Sequence, residues 1–357
     1  MDKTLIVYAS FGEGHKKAAE SLREYLNAPC KDLLDFSHPF IKNFYASGYI
    51  FVTERISFFW RLLFSSTGNR SIGKIAERIQ EFLFFSFFAY LRRTKPQVVI
   101  VTHFFPLSFL ARLKQELSLN IVAVVTDIHA HPLWINSCVD YYFAAFDETK
   151  NNLLRQGVEE KRILTGYAAL RSGFLREESV QVLRRKFSLD EKPCLLFMSS
   201  VRGTAPFLTQ VISQLAKKFN IFVIYGKNIQ LKEYLESTGL TSIRLFPVYE
   251  RIWELFELSS VIITKPGGLT IFEGIFKKKP FIFTQYIPGQ EEENMKFIMR
   301  YDIARFAHTE LELLASIEHF MNTSGVRNEH YPLALKDIRP ALDALLIEMR
   351  PFFVSQI

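Results

Sequence analysis

The sequence predicts an α/β protein of two Rossmann-like domains, each built on a parallel sheet, and three observations carry that prediction. At 357 residues the chain exceeds the roughly 250–300 at which a single hydrophobic core stops growing. Short apolar runs rich in strand formers alternate with helix-length segments in both halves, the rhythm of a doubly wound sheet. Two of those runs open into glycine turns that feed helices: residues 4–10 into Phe11-Gly12-Glu13-Gly14-His15, and residues 262–264 into Lys265-Pro266-Gly267-Gly268.

In chain order, the strand at 4–10 and its glycine loop lead into a helix at 16–26 with Ala18, Ala19, Leu22 and Leu26 facing inward. No third glycine follows at the dinucleotide-binding spacing, so that fingerprint is excluded. Strands are expected at 98–102, 121–126 and 141–145, a helix at 147–156, and a closing strand and turn at 162–166. The carboxyl ends of these strands carry His103, Asp127, His129 and His131, and ligands bind at that edge of such sheets. Asp127, His129, His131 and Asp140 lack the i,i+4 helical spacing of a zinc-protease motif, and no metal is expected. The second half repeats the pattern with strands at 195–198, 221–225, 243–248, 261–264 and 281–283, and an apolar helix at 341–349 follows Pro340. The expected division is residues 1–173, 174–340 and a C-terminal helix at 341–357 that packs back on the first domain.

Hydrophobic residues make up 48% of the chain and the mean hydropathy is +0.07, which excludes a disordered protein. No run approaches the ~20 apolar residues of a spanning helix. Residues 1–3 lead directly into a strand rather than a signal peptide. Cys30, Cys138 and Cys194 are odd in number and far apart, as expected of reduced core thiols. Residues 41–95 hold nine Lys and Arg against three Glu, so six of the chain's seven net positive charges fall there. Aromatic residues run through the same stretch, from Phe44 to Tyr90. Basic and aromatic together, and too short to span, it suits the headgroup layer of an anionic membrane. The plainer alternative is a buried helix at 79–91 with the charges as a solvated rim. Nucleic acid is not expected, because no recognition motif accompanies the charge.

The most informative stretch is 262–274 with its partner at 288–294, Pro-Gly-Gln-Glu-Glu-Glu-Asn. A strand that turns through Gly267 and Gly268 into a helix gathers backbone N–H groups at Leu269 and Thr270, which makes an anion cradle with Lys265 nearby. Glu273, one turn on, is placed to accept a hydrogen bond from a ribose or sugar hydroxyl, and Gln290 and Glu291 add polar groups. An ordinary βα turn also uses such glycines. The pairing with the second motif points instead to a sugar nucleotide.

KPGGLT-x-x-E followed by PGQEEEN resembles the donor-binding half of the monogalactosyldiacylglycerol synthase and processive diacylglycerol glucosyltransferase family, relatives of the peptidoglycan N-acetylglucosaminyltransferase. The resemblance implies a GT-B fold, two Rossmann-like domains facing across a cleft. It also implies a UDP-glucose or UDP-galactose donor, inverting transfer of a hexose to a lipid acceptor such as diacylglycerol, no cofactor, and a peripheral place on the cytoplasmic face of the membrane. The SFGEGH loop with its following Ala-Ala matches the family's N-terminal motif. That implies an acceptor-facing loop at Gly12 and Gly14, with His15 as the base that takes the acceptor's proton. An ordinary imidazole titrates near pH 6.5 and is suited to that work; a helix-capping histidine is the alternative. Asp127 and His131 fall on a T-D-x-x-x-H-x-x-W stretch that implies the acceptor side, and Ile252 a place beside the nucleotide base. Where the family has a run of glycines, this chain has Ser199-Ser200-Val201-Arg202-Gly203-Thr204, in which Arg202 would supply a cation. The family's proline two residues after Gly166 is absent, and its Ser-Glu pair becomes Phe272-Glu273. Two other readings fit the same motifs: a UDP-sugar-binding regulator without turnover, and a UDP-sugar epimerase on the same fold.

Overall fold

A computed structural model describes residues 3–10, 13–37, 82–198, 207–323, 333 and 335–349. Gly12, Arg202 and the greater part of the basic aromatic segment, residues 41–81, lie outside the described residues. The chain divides into two compact units, one comprising Met1–Thr126, Ala130–Leu170 and Lys336–Ile357, the other Asp127–His129 and Arg171–Leu335.

The first unit holds six parallel strands in the order β2-β1-β3-β4-β5-β6: β1 Thr4–Tyr8, β2 Cys30–Asp32, β3 Val98–Val101, β4 Asn120–Val125, β5 Tyr141–Ala144 and β6 Ile163–Thr165. Alternate residues of each strand enter opposite cores, as a period of two requires. Leu5, Val7, Val99, Val101, Ile121 and Ala123 pack on one face against α2 (Phe85–Thr94) and α3 (Leu107–Leu117). Ile6, Val98, Ile100, Val122 and Val124 pack on the other against α1 (Glu13–Leu26), whose Ala18, Ala19, Leu22 and Leu26 are buried. A further helix, α4 (Asp147–Arg155), bridges β5 and β6 in sequence.

The second unit repeats the plan in the order β12-β11-β10-β7-β8-β9, again all parallel: β7 Cys194–Met198, β8 Asn220–Ile224, β9 Ile243–Phe246, β10 Ser259–Thr264, β11 Phe281–Phe283 and β12 Ala304–Phe306. Its helices are α5 (Val180–Lys186), α6 (Leu208–Leu215), α7 (Ile229–Ser237), α8 (Ile252–Leu258), α9 (Gly268–Phe276), α10 (Gln290–Ile298) and α11 (Glu310–Asn322). In both sheets the strand order reverses beside the first strand of the unit, at β1/β3 and at β7/β10. These are the switch points where open parallel sheets bind ligands.

The last described helix, α12 (Arg339–Glu348), belongs to the first unit, where Leu342, Leu345 and Leu346 join the α1 face. Its approach is secured by backbone. Tyr167 N donates to Lys336 O (2.8 Å) and Ile338 N to Tyr167 O (3.2 Å). Gly166 has φ +145°, and a side chain there would press on Lys336 O, so the return leaves room for glycine alone. Arg339 stacks over Tyr25 and Tyr167, each about 5 Å away.

The aromatic run at 82–91 is amphipathic rather than wholly buried. Phe84, Phe87, Phe88 and Leu91 fill the core around Phe109, whereas Phe82 and Phe85 are 80% and 69% exposed. Spacing by three and four separates the two sets. No helix among the described residues is long and apolar enough to cross a membrane. The three cysteines are free, and burial pushes the Cys30 thiol up to about 11 and that of Cys138 up to about 12.

Candidate functional site

Each unit gathers polar groups at the carboxyl edge of its sheet. In the first, β1 leads into α1, whose opening turn carries Gly14 and His15. His15 Nδ1 lies 2.8 Å from the carbonyl oxygen of Thr102, at the end of β3, and 2.9 Å from Thr126 Oγ1, at the end of β4. A carbonyl only accepts, so this network assigns the proton to Nδ1 and leaves the lone pair on Nε2. Thr102 Oγ1 donates in return to the backbone oxygen of His15 (2.9 Å), closing a reciprocal clasp.

His103 stands edge-on to His15, ring centroids 4.4 Å apart. Its Nδ1 accepts the N–H of Phe105 (3.0 Å), so its proton sits on Nε2. Burial holds its pKa well below the ordinary 6.5, and the neighbouring His15 and His131 lower it further. A neutral His103 is therefore packed against the candidate base. Phe104 continues the array, 4.3 Å from His103 and stacked on His131 at 5.6 Å. His131 Nδ1 accepts the N–H of Leu133 (3.2 Å) and caps the short turn Pro132–Trp134. Gly14, His15 and His131 thus share one sheet edge.

In the second unit, β10 ends at Thr264, and Gly267 N donates to Lys265 O (2.8 Å) to close a tight turn at Pro266. Ile271 N then donates to Gly267 O (3.0 Å), the first bond of α9. The N–H groups of Gly268, Leu269 and Thr270 have no acceptor among the described residues, as the first turn of an uncapped helix requires. A Cβ on Gly267 would meet nothing closer than Thr270 Oγ1 at 3.9 Å. That glycine is not demanded by the protein's own packing. Gly274, in the same helix, is: a Cβ there would lie 2.1 Å from Phe281 Cζ.

The charged residues beside this turn are paired. Glu273, 2% exposed, is held by Arg171 in a bidentate pair, Nε to Oε1 at 2.5 Å and Nη2 to Oε2 at 2.6 Å. Lys265 pairs with Glu291, which also accepts the N–H of Ile287 (2.9 Å). Gly289, with φ +98°, turns the chain into α10, and the buried Nε2 of Gln290 makes no hydrogen bond among the described residues. Asn294, fully buried, donates to Pro266 O (3.2 Å) and accepts from Ile128 N (3.1 Å), so the last residue of the second motif braces the turn of the first. Ile128 lies in the short stretch, with half-buried Asp127, that groups with this unit. Ile252 is buried at the start of α8.

Sequence reading did not single out Thr102, Thr126, Asn294 or Arg171. The first two stand where strands end, and Asn294 closes a motif already recognised; Arg171 carries no sequence signal at all. Metal was not expected, and among the described residues no three of His, Cys, Asp and Glu gather as metal ligands.

The family model of monogalactosyldiacylglycerol (MGDG) synthase matches residues 15–166. A processive diacylglycerol beta-glucosyltransferase of Bacillus cereus (strain B4264) is 29% identical over 373 residues, covering 97% of this chain and 94% of its own. A protein of the same name from Bacillus thuringiensis (strain Al Hakam) is 29% identical over 335 residues, covering 88% and 84%. Among solved structures, the UDP-GlcNAc 2-epimerase of Neisseria meningitidis bound to UDP-GlcNAc superposes with a TM-score of 0.60 at 15% identity, covering 97% of this chain and 99% of its own. Acinetobacter baumannii MurG gives 0.57 at 11% identity with the same coverage, and Anabaena Alr3699/HepE in complex with UDP gives 0.53 at 12%, covering 91% of each. These establish the GT-B fold of two six-stranded parallel sheets flanked by helices.

Proposed function

We infer that this chain, a relative of the monogalactosyldiacylglycerol synthases and processive diacylglycerol glucosyltransferases, is a UDP-sugar-dependent glycosyltransferase that moves a hexose to a membrane lipid. The observation that carries the donor half is the start of α9, where three N–H groups with no acceptor among the described residues stand at the carboxyl end of β10. There they would bind the diphosphate of a UDP-sugar and strengthen as charge builds on the departing UDP, the electrostatic contribution that dominates many such barriers. Lys265 adds a cation by giving up Glu291. Glu273 takes the ribose, Ile252 lines the base, and Gln290 offers its buried amide donor to the sugar.

On the acceptor side His15 is the base. With Nδ1 held by the Thr102 carbonyl, Nε2 takes the proton of the lipid hydroxyl as that oxygen attacks the anomeric carbon. The new C–O bond forms on the face opposite the departing UDP, so the configuration inverts. Gly14 leaves space for the acceptor, and Asp127 and His131 contribute polar lining. Diacylglycerol is the acceptor that the curated relatives' names favour. The exposed Phe82 and Phe85, on the segment that also bears Arg92 and Arg93, support a peripheral seat on an anionic, cytoplasm-facing membrane.

The epimerases match this chain in fold alone, whereas the similarity in sequence runs to glucosyltransferases over almost the full length. Incubation with UDP-glucose or UDP-galactose and anionic liposomes containing diacylglycerol, followed by mass spectrometry of the lipids, tests the reading. A hexosyl-diacylglycerol from one donor is expected and names the sugar. Binding of UDP-sugar with no product from any lipid supports the regulator, and UDP-sugar isomerised without lipid supports the epimerase.

A further inference from the structure

Thr102 follows β3 directly, is fully buried, and has its N–H, its carbonyl and its hydroxyl all bonded. The N–H donates to Val7 O (3.2 Å), one step beyond the Val7/Val101 pairing, so the sheet itself places this residue. The carbonyl accepts from His15 Nδ1 (2.8 Å), and the hydroxyl donates to His15 O (2.9 Å). Val7 precedes the first glycine loop and His15 follows it. One strand-end residue therefore grips the chain on both sides of that loop.

The two bonds to His15 divide the work. The carbonyl can only accept, so it selects the tautomer with the proton on Nδ1. The hydroxyl fixes the His15 backbone, from which the ring hangs, and so keeps the ring in register with the carbonyl. Thr126 Oγ1, 2.9 Å from Nδ1, selects no tautomer, because a hydroxyl donates as well as accepts. His103 walls the ring edge-on, centroids 4.4 Å apart. His15 is only half-buried, and its Nε2 has no hydrogen-bond partner among the described residues.

We propose that Thr102 is the positioning residue of His15, its hydroxyl keeping the imidazole on the Thr102 carbonyl and the Nε2 lone pair ready for the acceptor's proton. Without that hydroxyl the ring slips from the carbonyl and the Thr126 hydroxyl donates to Nδ1 instead. The proton then moves to Nε2 by exchange with solvent, and the base is blocked. The inference rests on the reading of His15 as the base.

The test compares the full chain with Thr102→Val, which deletes the hydroxyl but keeps the branched shape, and with Thr102→Ser, which restores it. Two-bond ¹H–¹⁵N correlation at about pH 8 reads the His15 tautomer without need of turnover, its signals being assigned by their loss in His15→Ala. Transfer kinetics with UDP-glucose or UDP-galactose and diacylglycerol liposomes, and thermal unfolding, accompany it. The parent and Thr102→Ser are expected to show the Nδ1–H form. Thr102→Val is expected to gain the Nε2–H form and to lose about ten- to a hundredfold in kcat, with KM for the donor changed by less than about twofold. A merely structural threonine would move the unfolding temperature and not the tautomer. Thr102→Ala makes the same deletion and decides the matter if Thr102→Val does not fold. A parent-like tautomer or a parent-like kcat in the folded variant overturns the role of Thr102 alone. Absence of transfer by the parent, or undiminished transfer by His15→Ala, overturns the base reading and this inference with it.

Discussion

Among the described residues, the polar groups around His15 in the first unit satisfy one another and leave over a nitrogen lone pair, whereas at the start of α9 the side chains pair among themselves and leave over three backbone N–H groups. One region presents an imidazole held in one tautomer by a backbone carbonyl. The other presents backbone donors fixed at the start of a helix. The contrast suits the proposed roles: proton abstraction needs one atom aimed at one hydrogen, and leaving-group stabilisation needs several dipoles converging on a diphosphate.

The largest way to break the comparison is His15→Ala. Transfer is expected to fall by about 10²–10⁴, while UDP affinity measured by calorimetry stays unchanged; loss of both together would mean that His15 supports the fold rather than the chemistry. The two glycines of α9 sharpen the contrast within one helix. Gly274→Ala drives a methyl into Phe281 and is expected to cost about 1–3 kcal/mol of stability, with UDP binding kept in the folded fraction. Gly267→Ala meets no protein atom closer than 3.9 Å and is expected to unfold within a few degrees of the parent, yet to weaken UDP about tenfold by crowding the cradle.

The smallest effect concerns His103. Its folded pKa lies below 6.5 because burial opposes the charge, so an unfolded chain binds the proton first as pH falls. Its contribution is whole above pH 6.5 and declines below it, by at most about 1.4 kcal/mol per pH unit. His103→Asn, whose side-chain oxygen can accept the Phe105 N–H, is expected to flatten the loss of thermal stability between pH 7 and pH 5.5. An unchanged slope would place the acid sensitivity elsewhere.

Much of this was legible in the sequence. The strand at 4–8 and those at 98–101, 120–125 and 259–264 carry apolar runs dense enough to name themselves, and the glycine turns after the first and last marked both regions. The edge strands β2 and β12 were not foreseen. Cys30-Lys31-Asp32 and Ala304-Arg305-Phe306 are three residues each, and their pairing with β1 and β11 comes from the sheet rather than from any pattern of their own. The run from Phe82 to Leu91 read as either all buried or all at a membrane; it is divided, because Phe84 at the N-cap of α2 and Phe87, Phe88 and Leu91 within it are buried while Phe82 and Phe85 are exposed. Side-chain pairing was the least legible. Glu273 and Arg171 are 102 residues apart, and Glu291 and Lys265 are 26 apart, and only the folded chain brings such charges together.

The measurement that bears most directly on the account is UDP release from UDP-glucose and UDP-galactose in the presence of anionic liposomes, with and without diacylglycerol. Release from one donor that depends on diacylglycerol is the expected result and joins the two regions in one reaction. Tight donor binding with no lipid-dependent release from either sugar would contradict it.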